Sequence, residues 1–246
     1  MIWCSGWELA SAVSNAGGLG IIGAGSMYPD ILREHIDKGQ KATDKPFAVN
    51  LPLLYPDIDK HIATIIEKRV PIVFTSAGNP ATWTSVLKEN GTKVVHVVSN
   101  IKFAKKAEAS GVDAIVTEGF EAGGHNGREE TTTLVLIPQV VDAVDIPVIA
   151  AGGIGTGKSM AAAMALGAEG VQIGSRFVAS EESSAHINFK HAVVNAKDGD
   201  TQLSLKKLTP VRLIKNKFWE QVVEAEMRGA GKEEMIQLLG RARAKK

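Results

Sequence analysis

The feature that most constrains this chain is a rhythm. Short aliphatic and β-branched runs that close near glycine alternate with longer segments of helical period, from the first residues to about residue 197. The runs fall at 19–25, 46–53, 71–78, 93–99, 114–119, 147–153 and 171–177, with cores GIIG, FAVN, IVFT, VVHVV, AIVT, VIAA and VQIG. Strands so continuously apolar suit a parallel sheet covered on both faces, because one face meets helices and the other meets a second layer of core. Helices are expected near 6–16, 29–39, 57–69, 80–90, 101–110, 133–144, 157–167 and 182–197. Pro29, Asp57, Pro80 and Thr133 sit near starts, and Gly91, Gly111 and Gly167 follow ends. An open doubly wound sheet could hold seven strands. A TIM-type (β/α)8 barrel lacking its first strand fits better, because the chain opens on Met1 immediately before a helix. Residues 1–200 are therefore expected to form the barrel and 201–246 a C-terminal helical appendage. Within the appendage, 201–217 reads as irregular, helices are expected near 217–228 and 232–240, and no second core is evident. The barrel is expected to stay unclosed, with two parallel edges unpaired.

Bulk properties exclude several classes. With 246 residues, 44% hydrophobic and 22% charged, the chain can bury a sizeable core. A formal charge of +1 offers no strong field for nucleic acid or an acidic membrane. The basic tail Arg241, Arg243, Lys245 and Lys246 reads as a solvated chain end. The single cysteine, Cys4, cannot form an intramolecular disulfide and reads as a partly buried small residue. With no apolar run of spanning length and no signal peptide, the expectation is a cytoplasmic protein that binds neither membrane nor nucleic acid.

Function is signalled by glycine at strand ends: SAG at 76–78, EAGGHNG at 121–127, AAGGIG at 150–155 and IGS at 173–175. Ligands of parallel α/β folds bind at the carboxyl ends of strands, where glycine bares peptide N–H groups to a phosphate. Two such loops on the last two strands predict a phosphate-bearing ligand. The stretch 152–159, GGIGTGKS, also satisfies the P-loop expression. A triphosphatase would need an acidic residue ending a neighbouring strand to hold magnesium; 171–177 has none, and Asp113 precedes its strand. Lys158 and Ser159 then read as first-turn helix residues.

The most distinctive loop is EGFEAGGHNG at 118–127, which sets one imidazole, His125, among glycines at a strand mouth. An imidazole there can donate or accept a proton near neutral pH. His35, His61, His186 and His191 read as solvated helix residues, and His96 as a satisfied residue inside a strand.

AGGLGIIGAG at 16–25, DKPFAVNLPLL at 44–54, TSAGNP at 75–80, the His loop, PVIAAGGI at 147–154 and VQIGSRF at 171–177 together resemble the nitronate monooxygenase (2-nitropropane dioxygenase-like) family. The resemblance is strongest to its bacterial enoyl-[acyl-carrier-protein] reductase II branch. It implies an FMN cofactor in a TIM-type barrel; no metal site is expected. By the resemblance, His125 is the catalytic histidine. Asn50, Glu118 and Gly123 contact or line the flavin, and Gly152, Gly153, Gln172, Gly174 and Ser175 hold its ribityl phosphate region. The implied reaction is reduction of a trans-2-enoyl thioester on acyl carrier protein by NADH or NADPH, in fatty acid synthesis. In the monooxygenase branch the same histidine takes a proton from an alkyl nitronate precursor, and dioxygen reoxidises the flavin. A homodimer is expected from relatives alone. A phosphosugar isomerase or synthase with the same phosphate clamp, and a catalytically inactive flavin-binding module, remain as other classes.

Overall fold

The computed structural model describes residues 1 and 3–239. The basic tail and the last expected helical residue, Gly240, lie outside the described residues. Seven parallel strands follow the predicted runs: β1 (Gly20–Gly23), β2 (Phe47–Pro52), β3 (Ile72–Ser76), β4 (Lys93–Val98), β5 (Ala114–Glu118), then, past the two-residue β6 (Gly124–His125), β7 (Val148–Ala151) and β8 (Gly170–Gln172). They pair in the order β1-β2-β3-β4-β5-β7-β8, so sequence neighbours are spatial neighbours throughout. No point exists where the order reverses, which removes the doubly wound alternative.

Helices connect the strands: α1 (Trp7–Asn15), α2 (Pro29–Ala42), α3 (Ile58–Glu67), a 3-10 turn at Pro80–Thr82 leading into α4 (Thr84–Glu89), α5 (Ile101–Ala109), α6 (Thr133–Val141) and α7 (Gly157–Ala165). Local chemistry explains their starts. Pro29 opens α2, the Asn100 side chain accepts from the Phe103 N–H to cap α5, and Thr156 with Ser159 forms a reciprocal capping box on α7.

Alternation along the strands sends residues to two layers. Val49, Val73, Val94, Ile115 and Val148 point outward into the large core beneath the helices. Ala48, Phe74, Val95, Val116 and Ala151 point inward and form a separate inner cluster. Each fully buried aliphatic side chain of this kind contributes roughly 1.5–3 kcal/mol.

β1 and β8 end the strand order, yet both reach Met1. A Cβ on Gly23, at the end of β1, would lie 2.7 Å from the Met1 carbonyl oxygen, and one on Gly174, just past β8, would lie 3.6 Å from the Met1 sulfur. The sheet is thus curled, as in a TIM-type barrel, with Met1 and residues 3–5 wedged between its two edges. The β1 edge is less bare than expected: Gly23 N–H donates to the Ser5 carbonyl (2.9 Å) and the Ser5 hydroxyl to the Ile21 carbonyl (2.5 Å). From the β8 side, the Ser183 and Ser184 hydroxyls donate to the Cys4 and Trp3 carbonyls, both at 3.0 Å.

Three expectations need correction. The last strand ends at Gln172, and Ser175–Val178 forms a helical turn, α8, before α9 (Ile187–Asn195). The stretch 201–217 is mostly ordered: β9 (Thr201–Ser204) and β10 (Val211–Ile214) make an antiparallel hairpin, followed by α10 (Lys217–Met227) and α11 (Lys232–Leu239). This appendage also has a small core of its own, with Leu205, Val222, Ala225 and Met235 buried together. Among the described residues no helix is long and apolar enough to cross a membrane.

Candidate active site

Strand direction gathers the candidate residues at one rim. Asn50 lies near the end of β2, Glu118 ends β5, Gly152 and Gly153 follow β7, and Gln172 ends β8 with Gly174 and Ser175 beyond it. Asn50 lies two residues beyond the inward-facing Ala48, Glu118 two beyond the inward-facing Val116, and Gln172 one beyond the outward-facing Val171, so all three side chains face the barrel interior. Asn50 is fixed by an Nδ2 bond to the Phe74 carbonyl at 3.0 Å.

The glycine positions are where backbone must come close. Gly152 has φ +98°, and a Cβ there would meet the Gly119 carbonyl oxygen at 2.7 Å and the Thr133 hydroxyl at 2.8 Å. A Cβ on Gly123 would sit 3.4 Å from the Ser175 hydroxyl, so the His loop and the β8 loop face each other. Among the described residues, the peptide N–H groups of Gly152, Gly153, Gly174 and Ser175 donate to no protein acceptor. Four free donors on the loops after two adjacent strands are what an anionic group needs.

The triphosphatase motif is accounted for otherwise. Ser159 accepts from the Gly155 and Thr156 N–H groups (3.2 and 3.0 Å) within the α7 cap, and Lys158 is exposed. Both are first-turn residues of a helix, as expected.

The Glu118 carboxyl is the strongly perturbed acid of the site. Burial pushes it from the ordinary 4.5 up to about 7, opposed by the Met1 amino group. The folded state therefore holds a proton that the unfolded chain releases near 4.5. This contribution to stability is complete below about 4.5 and is lost as pH rises through about 7. Across that window the melting temperature of the parent should fall relative to that of Glu118→Gln. Parallel pH profiles of the two melting temperatures would contradict the assignment.

His125 lies on β6 and is exposed to the mouth. Desolvation by the surrounding protein lowers its pKa from the usual imidazole range, which favours the neutral ring. Sequence reasoning missed what holds this loop. β6 pairs antiparallel with β10, His125 opposite Val211 and Gly124 opposite Arg212. The Arg212 guanidinium donates twice to the Phe120 carbonyl (2.9 and 3.2 Å) and stacks 4.6 Å above the Phe120 ring. Glu121 accepts from both the N–H and the hydroxyl of Thr133 (2.8 Å each), and the same hydroxyl lies 2.9 Å from the Gly152 carbonyl. Thr133 thereby links the His loop to the β7 loop. Asn126 braces the loop internally, its Nδ2 on the Ala122 and Gly124 carbonyls, while its Oδ1 is buried without a partner among the described residues.

The other histidines are not at this rim. His96 is buried with its Nδ1 2.7 Å from the Thr75 hydroxyl, and burial lowers its pKa to about 4, which fits a satisfied interior residue. His61 is a correction: it is buried, with Nε2 3.1 Å from the Met27 carbonyl. His35 is half-buried and accepts from the Trp7 N–H. His186 and His191 are exposed.

Comparison with known proteins bears on the family and the fold. The family model described as nitronate monooxygenase matches residues 1–61 and 55–246. A probable nitronate monooxygenase of Staphylococcus saprophyticus is 37% identical over 264 residues, covering 88% of this chain and 74% of its own length. A (3aS,4S,5R,7aS)-5-hydroxy-7a-methyl-1-oxo-octahydro-1H-indene-4-carboxyl-CoA dehydrogenase of Rhodococcus jostii is 38% identical over 206 residues. That match covers 84% of this chain, which spans 58% of the dehydrogenase. Among solved structures, FabK from Thermotoga maritima superposes with a TM-score of 0.90 at 49% identity, over 93% of this chain and 73% of that one.

Proposed function

The chain belongs to the nitronate monooxygenase family of flavin-dependent oxidoreductases, and on that premise we propose that it reduces trans-2-enoyl thioesters on acyl carrier protein with FMN and NADH or NADPH. The observation that carries this reading is the set of four free N–H groups on the loops after the adjacent strands β7 and β8, with a φ +98° glycine in the first and the His loop in contact distance of the second. The residues fit a phosphorylated flavin. Gly152, Gly153, Gly174 and Ser175 would hold the phosphate by peptide N–H groups. Asn50 and Gln172 would offer side-chain amides to the ribityl chain and ring edge, and Glu118 and Gly123 would line the ring. When bound, the flavin supplies hydride transfer between the nicotinamide and the substrate's β-carbon.

His125 then acts on the substrate. As a neutral imidazole it would donate a hydrogen bond to the thioester carbonyl, favouring negative charge on that oxygen as the β-carbon is reduced; alternatively, after taking up a proton from solvent, it would pass that proton to the α-carbon. Two likenesses support a thioester: 49% identity to FabK, the enoyl reductase branch that the motifs resemble, and a relative named for a carboxyl-CoA substrate. On this reading residues 1–200 bind the flavin, the 206–212 stretch of the C-terminal appendage braces the His loop, and the enzyme works as a cytoplasmic homodimer.

The names of the family model and of the Staphylococcus relative favour a second reading, oxidation of alkyl nitronates by dioxygen. There the neutral His125 would take the substrate proton. Two assays on the same preparation separate the readings. NAD(P)H oxidation that requires a trans-2-enoyl thioester, under anaerobic conditions, is expected. Oxygen uptake with propionate 3-nitronate and no enoyl reduction would overturn the first reading in favour of the second.

A further inference from the structure

We propose that Arg212 is a positioning residue for His125, making the β9–β10 hairpin a clasp that sets the catalytic loop from outside the barrel; this rests on the reading of His125 given above. The loop 119–127 carries glycine at 119, 123, 124 and 127, so it has much backbone freedom to lose. An imidazole working on a bound substrate must be held to within about 1 Å, since small misplacements slow a step by as much as roughly 100-fold.

Strand alternation aims Arg212 at that task. Val211 packs against the appendage's own core, so the next side chain, Arg212, points the other way, toward the barrel mouth. Its main chain pairs with Gly124, directly before His125, while its guanidinium reaches back to the Phe120 carbonyl and ring. Directly after His125, the Asn126 N–H donates to the Pro210 carbonyl at 2.9 Å. One short strand therefore grips the loop on both sides of the imidazole. Arg128 extends the grip, donating to the Lys206 and Leu208 carbonyls (3.3 and 2.5 Å). Among the described residues the guanidinium makes no hydrogen bond to the residues assigned to the flavin phosphate, its partners being Phe120 and the Thr201 hydroxyl, so its loss should separate turnover from cofactor affinity.

The test compares the parent with Arg212→Met, which keeps the apolar stem over Phe120 and removes the five donors, and Arg212→Lys, which keeps a cation without the planar fork. Amide exchange is read at 120–127 and at 150–155, alongside FMN affinity and turnover. In the Met variant, exchange at 120–127 should rise about tenfold or more, as expected for a loosened local unit. Exchange at 150–155 and FMN affinity should stay within about twofold, and turnover should fall about tenfold or more, as for a misplaced catalytic group. The Lys variant should fall between. If the Met variant does not fold, the Lys variant carries the test, with a smaller rise at 120–127 expected. Unchanged exchange at 120–127 in a folded variant, or faster exchange with unchanged turnover, overturns the proposal. A parent that turns over neither enoyl thioester nor nitronate sinks the functional reading instead, which the exchange data do not depend on.

Discussion

Replacing His125 with alanine should lower turnover by roughly 10²–10⁴-fold, the usual contribution of a positioned acid–base group, while flavin affinity changes little. The asymmetry follows from where the imidazole sits. It lies on the two-residue β6, exposed to the mouth, whereas the free N–H groups assigned to the phosphate are on the loops after β7 and β8. Its pKa is lowered by desolvation, which favours the neutral ring with one N–H donor and one acceptor nitrogen, a form that serves either branch of the chemistry. Steady-state rates with the preferred substrate, measured alongside an FMN fluorescence titration, check this. Turnover within about twofold of the parent would remove His125 from the mechanism, since a working acid–base group contributes at least about 100-fold.

Gly152→Ala should fail in the opposite way, losing the cofactor first. At φ +98° an L-residue is strained, and the new methyl would lie 2.7 Å from the Gly119 carbonyl oxygen, 2.8 Å from the Thr133 hydroxyl and 3.0 Å from the Gly119 nitrogen. Two of those neighbours are backbone of the His loop and cannot turn aside as a side-chain tip does. Strain alone is about 1–2 kcal/mol. With the overlap, about 3 kcal/mol or more is expected, equivalent to about 100-fold in FMN affinity. Gly155→Ala is the control, because a Cβ there meets nothing within 4 Å. FMN affinity for Gly152→Ala equal to that of the control, by titration, would contradict the placement of the phosphate at this loop.

The barrel was legible because its signals are local and repeated. Seven apolar runs became seven strands in sequential order, and α2 begins at Pro29 as expected. What escaped was non-local. β9 and β10 are four residues each, too short for a periodicity to register, and β10 pairs with β6 more than eighty residues earlier in the chain. The run at 171–177 could not show that its last residues turn into α8, since a short apolar run suits strand and helix alike. His61 was readable in hindsight: it shares the buried face of α3 with Ile62 and Ile65, so a solvated histidine was the wrong expectation. The site was legible as glycine and imidazole, residue types whose chemistry is visible in one dimension. Its braces, Arg212, Thr133 and Glu121, are common residues that acquire meaning only from what they touch.

Peptide N–H groups on the loops after β7 and β8 would hold the phosphate of a flavin in the same strand-end rim as His125. The visible absorption spectrum of the purified protein, after incubation with excess FMN and gel filtration, tests it most directly. Retained bands near about 370 and 450 nm, bleached on addition of NADH or NADPH, are the expected result for a bound, reducible flavin. A protein that stays folded and leaves the column colourless would contradict the account.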